Sequence, residues 1–129
     1  MKVVVLVYSD DRNVRDDVAD ALGTTIDGVA LEIRFAATQA AVLEQLDLKD
    51  VDCCIFDAEA RPAGGMGLSK QIHDEYEFCP PVVLLIAREA DSWLAAWSLA
   101  EAVLPRPVDP MTLPKVVEQL VFVDEDEAA

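Results

Sequence analysis

Two aspartates and an arginine stand where short apolar runs end. Asp57 closes Cys53-Cys54-Ile55-Phe56, Asp10 follows Val3-Val4-Val5-Leu6-Val7-Tyr8-Ser9, and Arg106 follows Val103-Leu104-Pro105. Carboxylates gathered at one edge of a sheet make a hard-oxygen site of the kind that suits Mg²⁺. That ion keeps several waters and takes only one or two protein acids. Without a cation such acids raise one another's pKa values, and Arg106 nearby would relieve the repulsion. Two readings stand side by side here: a divalent-cation site, and a well-solvated acid cluster that binds nothing. Taken alone, Asp57 also reads as a loop acid capping the turn after it. That reading loses ground because a second strand ends the same way.

These residues need elements to hold them. Val3 to Tyr8 is a continuous β-branched and apolar run, which fits a strand buried on both faces. Val14, Val18, Ala21 and Leu22 then recur at helical spacing, with Gly23 as a stop. Val29, Leu31, Ile33 and Phe35 alternate with polar residues, the pattern of a half-buried strand nearer the sheet edge. Thr38 is placed to cap a second helix carrying Val42, Leu43 and Leu46. After Asp57 comes a loop with Arg61, Pro62, Gly64, Gly65 and Gly67, whose glycines read as turn residues. Leu68, Ile72 and Tyr76 mark a third helix, and Val82 to Ile86 a further buried strand. Asp91 or Ser92 caps a fourth helix holding Trp93 and Trp97, at least one of which is expected in the core. A short strand at Val103-Leu104 precedes Pro105-Arg106-Pro107. The last helix runs to about Val123; Asp109-Pro110 offers one start, while Pro114 argues for a later start or a kink.

Five strands alternating with five helices predict a doubly wound, flavodoxin-like parallel sheet in the order 2-1-3-4-5. That order sets the ends of the first and third strands side by side, so Asp10 and Asp57 converge and Arg106 comes within reach of Asp57. The 129 residues suit one domain over 1–123, followed by a disordered acidic tail over 124–129. A net charge of −15, from 25 acids against 10 Lys and Arg, repels nucleic acid and anionic membrane. Three cysteines, Cys53, Cys54 and Cys79, are odd in number and lack metal-ligand spacing. They read as reduced, buried small hydrophobes, with Cys53 and Cys54 on opposite faces. The absence of a leader or spanning segment points to a soluble, cytoplasmic protein.

Nearly the whole chain resembles a response-regulator receiver domain. The matching pieces are Val7-Tyr8-Ser9-Asp10-Asp11 with Arg15, Val51-Asp52 leading into the third strand, Asp57, Gly65 or Gly67, and Arg106-Pro107-Val108-Asp109-Pro110. The resemblance implies that Asp57 is the phospho-acceptor, that Asp10 binds Mg²⁺, and that the Glu59 carbonyl completes the ion's protein ligands. It departs from the family in specific places. Ser9 replaces the first of two acids, with Asp11 as a substitute one position on. Ile86 replaces the hydroxyl residue ending the fourth strand. Arg106 replaces a lysine, exchanging a compact ammonium for a planar fork able to pair bidentately with Asp57. Val103 takes the aromatic switch position, Pro62 comes one residue late, and the segment from Ala87 to Arg106 is about two residues short.

The expected function is therefore a stand-alone, atypical receiver without enzymatic activity. It would act by protein contact, with weak Mg²⁺ binding and weak or absent phosphorylation switching. Trp93 and Trp97 mark the candidate partner face if exposed, and the partner is an unidentified effector or kinase protein. The chain itself is expected as a monomer or homodimer. The alternative is a conventional receiver phosphorylated on Asp57 by a histidine kinase with Mg²⁺. A flavodoxin-like binder of FMN or another small ligand is disfavoured, because Ser9-Asp10-Asp11-Arg12 presents acids where a phosphate loop needs donors. His73, the only histidine, reads as a surface residue with no acid–base partner.

Overall fold

A computed structural model describes residues 1–88 and 91–122. The elements run β1 (Lys2–Tyr8), α1 (Arg12–Leu22), β2 (Thr25–Ile26), β3 (Val29–Ala36), α2 (Gln39–Asp47), β4 (Cys53–Asp57), α3 (Gly65–Glu75), β5 (Val82–Ile86), α4 (Ser92–Trp97), β6 (Ala102–Pro105) and α5 (Thr112–Phe122). Hydrogen bonding orders the strands β2-β3-β1-β4-β5-β6. All pairings are parallel except β2 with β3. The five parallel strands thus keep the expected 2-1-3-4-5 order, and the sheet gains a sixth, two-residue strand at its edge. This strand is additional to the five expected, and the sequence carries a signal for it. Asp27 and Gly28 both have positive φ, at 49° and 76°, the backbone of a tight hairpin turn for which Asp-Gly is a favoured pair.

Side chains of the central strands alternate between two cores. Leu6, Tyr8, Cys54, Phe56, Leu84 and Ile86 meet Val42, Leu46, Leu68, Ile72 and Ala95 from α2, α3 and α4. Val5, Val7, Cys53, Ile55, Val83 and Leu85 meet Val14, Val18, Leu113 and Val117 from α1 and α5. The adjacent cysteines lie one in each core, both free. On β3, Val29, Leu31 and Ile33 pack against the second core, whereas Phe35 is exposed. Asp52 sets the start of β4 against β1: its backbone N–H donates to the Val4 carbonyl, and its carboxylate accepts from the Val4 N–H, both at 2.8 Å.

Helix ends follow the capping residues. Asp11 caps α1 by accepting from the Asn13 N–H, and Gly23 ends it at φ 73°. The Thr38 hydroxyl accepts from the Ala41 N–H at the start of α2. At α5 the Asp109 carboxylate accepts from the Met111 N–H at 2.8 Å and the Thr112 hydroxyl at 3.1 Å. Pro114 lies in the first turn of this uninterrupted helix. The Leu113 N–H donates to the Asp109 carbonyl at 3.0 Å, but Pro114 offers no N–H for the next bond, and α5 begins at Thr112, the later of the two expected starts. The tail over 124–129, and Val123 before it, lie outside the described residues.

Both tryptophans are exposed, Trp93 at 72% and Trp97 at 54%, contrary to the expectation that one would be core. The six-residue α4 buries Ala95. Positions two residues either side of a buried one lie about 200° round a helix, on the solvent face. Asp91 precedes α4 without a side-chain cap bond; its carboxylate meets Arg88 instead, at 3.3 Å.

Candidate functional site at the carboxyl ends of the central strands

Asp57 ends a strand buried along its whole length and is itself only 2% exposed. A carboxylate buried this deeply requires partners for both oxygens. Oδ2 accepts the Ser9 hydroxyl at 2.7 Å, and Oδ1 accepts the Glu59 backbone N–H at 2.9 Å. Arg106 Nη1 lies 3.5 Å from Oδ1, an ion-pair approach rather than the bidentate hydrogen-bonded fork expected. Arg106 is positioned by its own backbone N–H, which donates to the Ile86 carbonyl at 2.9 Å. Its guanidinium also lines a cleft of about 370 Å³ with Val14, Asp17, Ala87, Pro107 and Val108.

Ser9 is fully buried and fixed from three sides. Its backbone N–H donates to the Ala36 carbonyl at 3.2 Å, its carbonyl accepts Arg15 Nη1 at 2.6 Å, and its hydroxyl accepts the Asp11 N–H at 3.0 Å. Asp11, proposed as a substitute ligand, has its carboxylate committed to capping α1. Asp10 is exposed, and its carboxylate accepts the Arg61 N–H at 3.2 Å. Tyr8 packs in the core beside Phe56, near enough to both acids to feel their charge. Burial raises its phenol pKa first, and the charges of Asp10 and Asp57 raise it further. The Tyr8 hydroxyl donates to the Ala63 carbonyl, tying β1 to the loop after Asp57.

The donor set does not suit a tight divalent-cation site. Among the described residues no three His, Cys, Asp or Glu side chains are grouped to hold a metal. Asp57 has both oxygens engaged, Asp11 is turned to the helix, and Arg106 places a positive charge beside the acid a cation would need. At the positions expected to relay a signal, Ile86 is a buried aliphatic side chain at the end of β5, and Val103 is 36% exposed on β6.

Gly65 is more than a turn glycine. A Cβ there would lie 2.6 Å from the Asp57 carbonyl oxygen, whereas one at Gly67 meets nothing within 4 Å. Gly65 lets α3 start directly against the strand end that carries Asp57. His73 also departs from the reading of a partnerless surface side chain. Its Nε2 is 2.9 Å from a Glu101 oxygen and its Nδ1 is 2.7 Å from the Ser69 carbonyl. Glu101 in turn accepts the Val82 N–H at 2.7 Å. These bonds join α3 to the strand ends opposite Asp57, a pairing across 28 residues that sequence spacing does not reveal.

The cysteines are chemically quiet. Burial pushes the Cys53 thiol up to about 12 and raises Cys54 well above its ordinary 9.0; half-buried Cys79 is also raised to about 12. Only the thiolate is nucleophilic. The folded protein at pH 8 is therefore expected to react far more slowly with a thiol-specific disulfide reagent than the same chain in denaturant. Rapid reaction of two or more thiols in the folded state would contradict this burial.

A doubly wound sheet with a buried aspartate ending its central strand, and a cation beside it from the last strand, is the arrangement of a receiver domain. The chain belongs to the response-regulator receiver family. It is 43% identical over 119 residues to an uncharacterized response regulatory protein of Mycobacterium tuberculosis, present in two strains, covering 91% of this chain and 90% of that protein. No family model matches. Among solved structures, a CheY-like response regulator receiver domain protein of Methanospirillum hungatei has a TM-score of 0.79 at 20% identity, covering 98% and 99% of the two chains. The chemotaxis response regulator CheY4 of Vibrio cholerae has a TM-score of 0.76 at 21% identity, covering 93% and 99%. A putative response regulator of Chloroflexus aurantiacus has 0.82 at 22%, covering 94% and 98%. These likenesses carry the fold. No helix among the described residues is long and apolar enough to cross a membrane.

Proposed function

We propose that this receiver is a non-enzymatic signalling module that works mainly through protein–protein contact, with weak or absent switching by phosphorylation of Asp57. The carrying observation is the saturation of Asp57 in the unmodified state: a serine hydroxyl, a backbone N–H and an arginine already surround the carboxylate. A phosphoryl group would have to recruit the same arginine, with no hydroxyl at Ile86 to follow it. A ligand shifts a conformational equilibrium only through contacts that differ between the two states, and those contacts are sparse here. The contact surface is read from Trp93 and Trp97, two large exposed aromatics one helical turn apart on α4. Tryptophan in such positions is a favoured interface anchor. The partner is an effector or kinase protein, neither nucleic acid nor membrane.

The approach of Arg106 to Asp57 favours one alternative, a conventional phospho-switch using Mg²⁺. Titration with Mg²⁺ and beryllofluoride separates the two readings, followed by tryptophan fluorescence and backbone amide shifts. The expected result is weak binding, with changes confined to the loop after Asp57. Tight, Mg²⁺-dependent binding with changes spreading to α4 and β6 would establish the conventional switch instead.

A further inference from the structure

We propose that the cavity between the carboxyl ends of α2 and α3 is a docking site for a partner-protein segment in which arginine or lysine stands beside apolar side chains. The cavity measures about 420 Å³, within the usual range of about 300–1,000 Å³ for binding pockets. Its lining residues follow α2 and α3 and precede β4 and β5, at the end of the sheet opposite Asp57. It shares no residue with the Asp57 pocket or with α4, and so adds a second surface to the function proposed above. Buried Leu46 and half-buried Val51 and Pro80 give it an apolar lining. Phe78 also lines it, yet is 88% exposed, and Leu48 at the end of α2 is 61% exposed. Scattered exposed apolar residues need no explanation, but a group of them at one cavity marks an interaction surface.

Charge selects the occupant. Helix α2 ends at Asp47 and α3 at Glu75, so the negative ends of two helix dipoles meet here. Asp47 and Glu77 line the cavity, against one lining cation, Lys49. The Tyr76 hydroxyl donates to Asp47 Oδ1 at 3.0 Å, bridging the two helix ends and holding both groups in place. Tyr76 and Phe78 add aromatic rings, which attract cations over their faces. A basic and apolar segment therefore matches both the lining and the field. A second copy of this chain does not, because it brings a further net charge of −15.

The test titrates the full chain with three capped octapeptides, alternating Arg with Leu, Glu with Leu, and Arg with Ser. Binding is read by calorimetry and its place by backbone amide shifts. The expected result is that the Arg–Leu peptide binds best, shifts amides within 46–51 and 76–80, and weakens as salt is raised. Glu77→Lys and Phe78→Ser alter exposed side chains, so both should keep the wild-type melting temperature while each loses affinity at least about tenfold. Trp93→Ser should bind the peptide as the wild type does, which separates failure of this site from failure of the α4 surface. Equal binding of all three peptides, shifts elsewhere in the chain, or indifference to Glu77→Lys and Phe78→Ser overturns the proposal. Self-association of the chain that Phe78→Ser abolishes also overturns it, assigning the cavity to a second copy.

Discussion

Replacing Phe56 by Ala is expected to destabilise the domain by about 4 kcal/mol, the largest loss of any single truncation considered for the site. Phe56 is fully buried in the core beneath α2, α3 and α4. Its ring meets Tyr8 edge-on, with centroids 5.8 Å apart and planes at 83°. Truncation removes the transfer free energy of the ring, opens a cavity under the most constrained strand and deletes this aromatic contact. Against a typical total stability of about 5–15 kcal/mol, the loss is a large fraction of what holds the fold. Urea unfolding should show a lower midpoint at unchanged slope. A shift of less than about 1.5 kcal/mol would mean that neighbouring side chains collapse into the space, and that packing beneath Asp57 is looser than it looks.

Gly65→Ala should cost about 2–3 kcal/mol, the scale of overpacking a close-fitted interior. The added methyl would stand 2.6 Å from the Asp57 carbonyl oxygen and 2.8 Å from its carbonyl carbon. Those are backbone atoms of a central strand, so they cannot swing aside as a side chain would. Relief requires moving the start of α3 or the end of β4, and either movement disturbs the Ser9 and Arg106 contacts to Asp57. Gly67→Ala is the control. That residue is helical and exposed, with open space at its missing Cβ, so alanine should stabilise it by about 0.5–1 kcal/mol through helix propensity. Equal effects at the two positions, read as melting temperatures, would refute the close approach at Gly65.

Much of the architecture was legible because it depends on periodicity and capping, which are local. Continuous apolar runs at Val3–Tyr8, Cys53–Phe56 and Val82–Ile86 announced strands covered on both faces, and two opposed cores enclose them. Thr38 and Gly23 marked helix ends through interactions spanning four residues or fewer. The parallel order followed because right-handed crossovers leave few arrangements, and it brought Arg106 to Asp57. Local signals are weaker where their meaning depends on context. Asp27-Gly28 is a hairpin signal, but the strand before it is only two residues long and has no periodicity to announce it. Pro114 marks the later of the two possible helix starts, because it has no N–H to continue the ladder from Asp109-Pro110.

What sequence could not decide are the partners that side chains choose across long separations. Pattern determined a doubly wound sheet with Asp57, Asp10 and Arg106 near one edge, and the resemblance carried by the strand-end motifs pointed to a receiver. Only the tertiary structure decided that Ser9 donates to Asp57, that Asp11 is spent on a helix cap, and that Arg106 stands 3.5 Å from Asp57 without a hydrogen-bonded fork. It alone decided that both tryptophans face solvent and that His73 meets Glu101. The physical reason is one of range. Strand and helix formation sum many local preferences in one direction, whereas each of these pairings rests on a few tenths of an ångström in the docking of elements far apart in the chain.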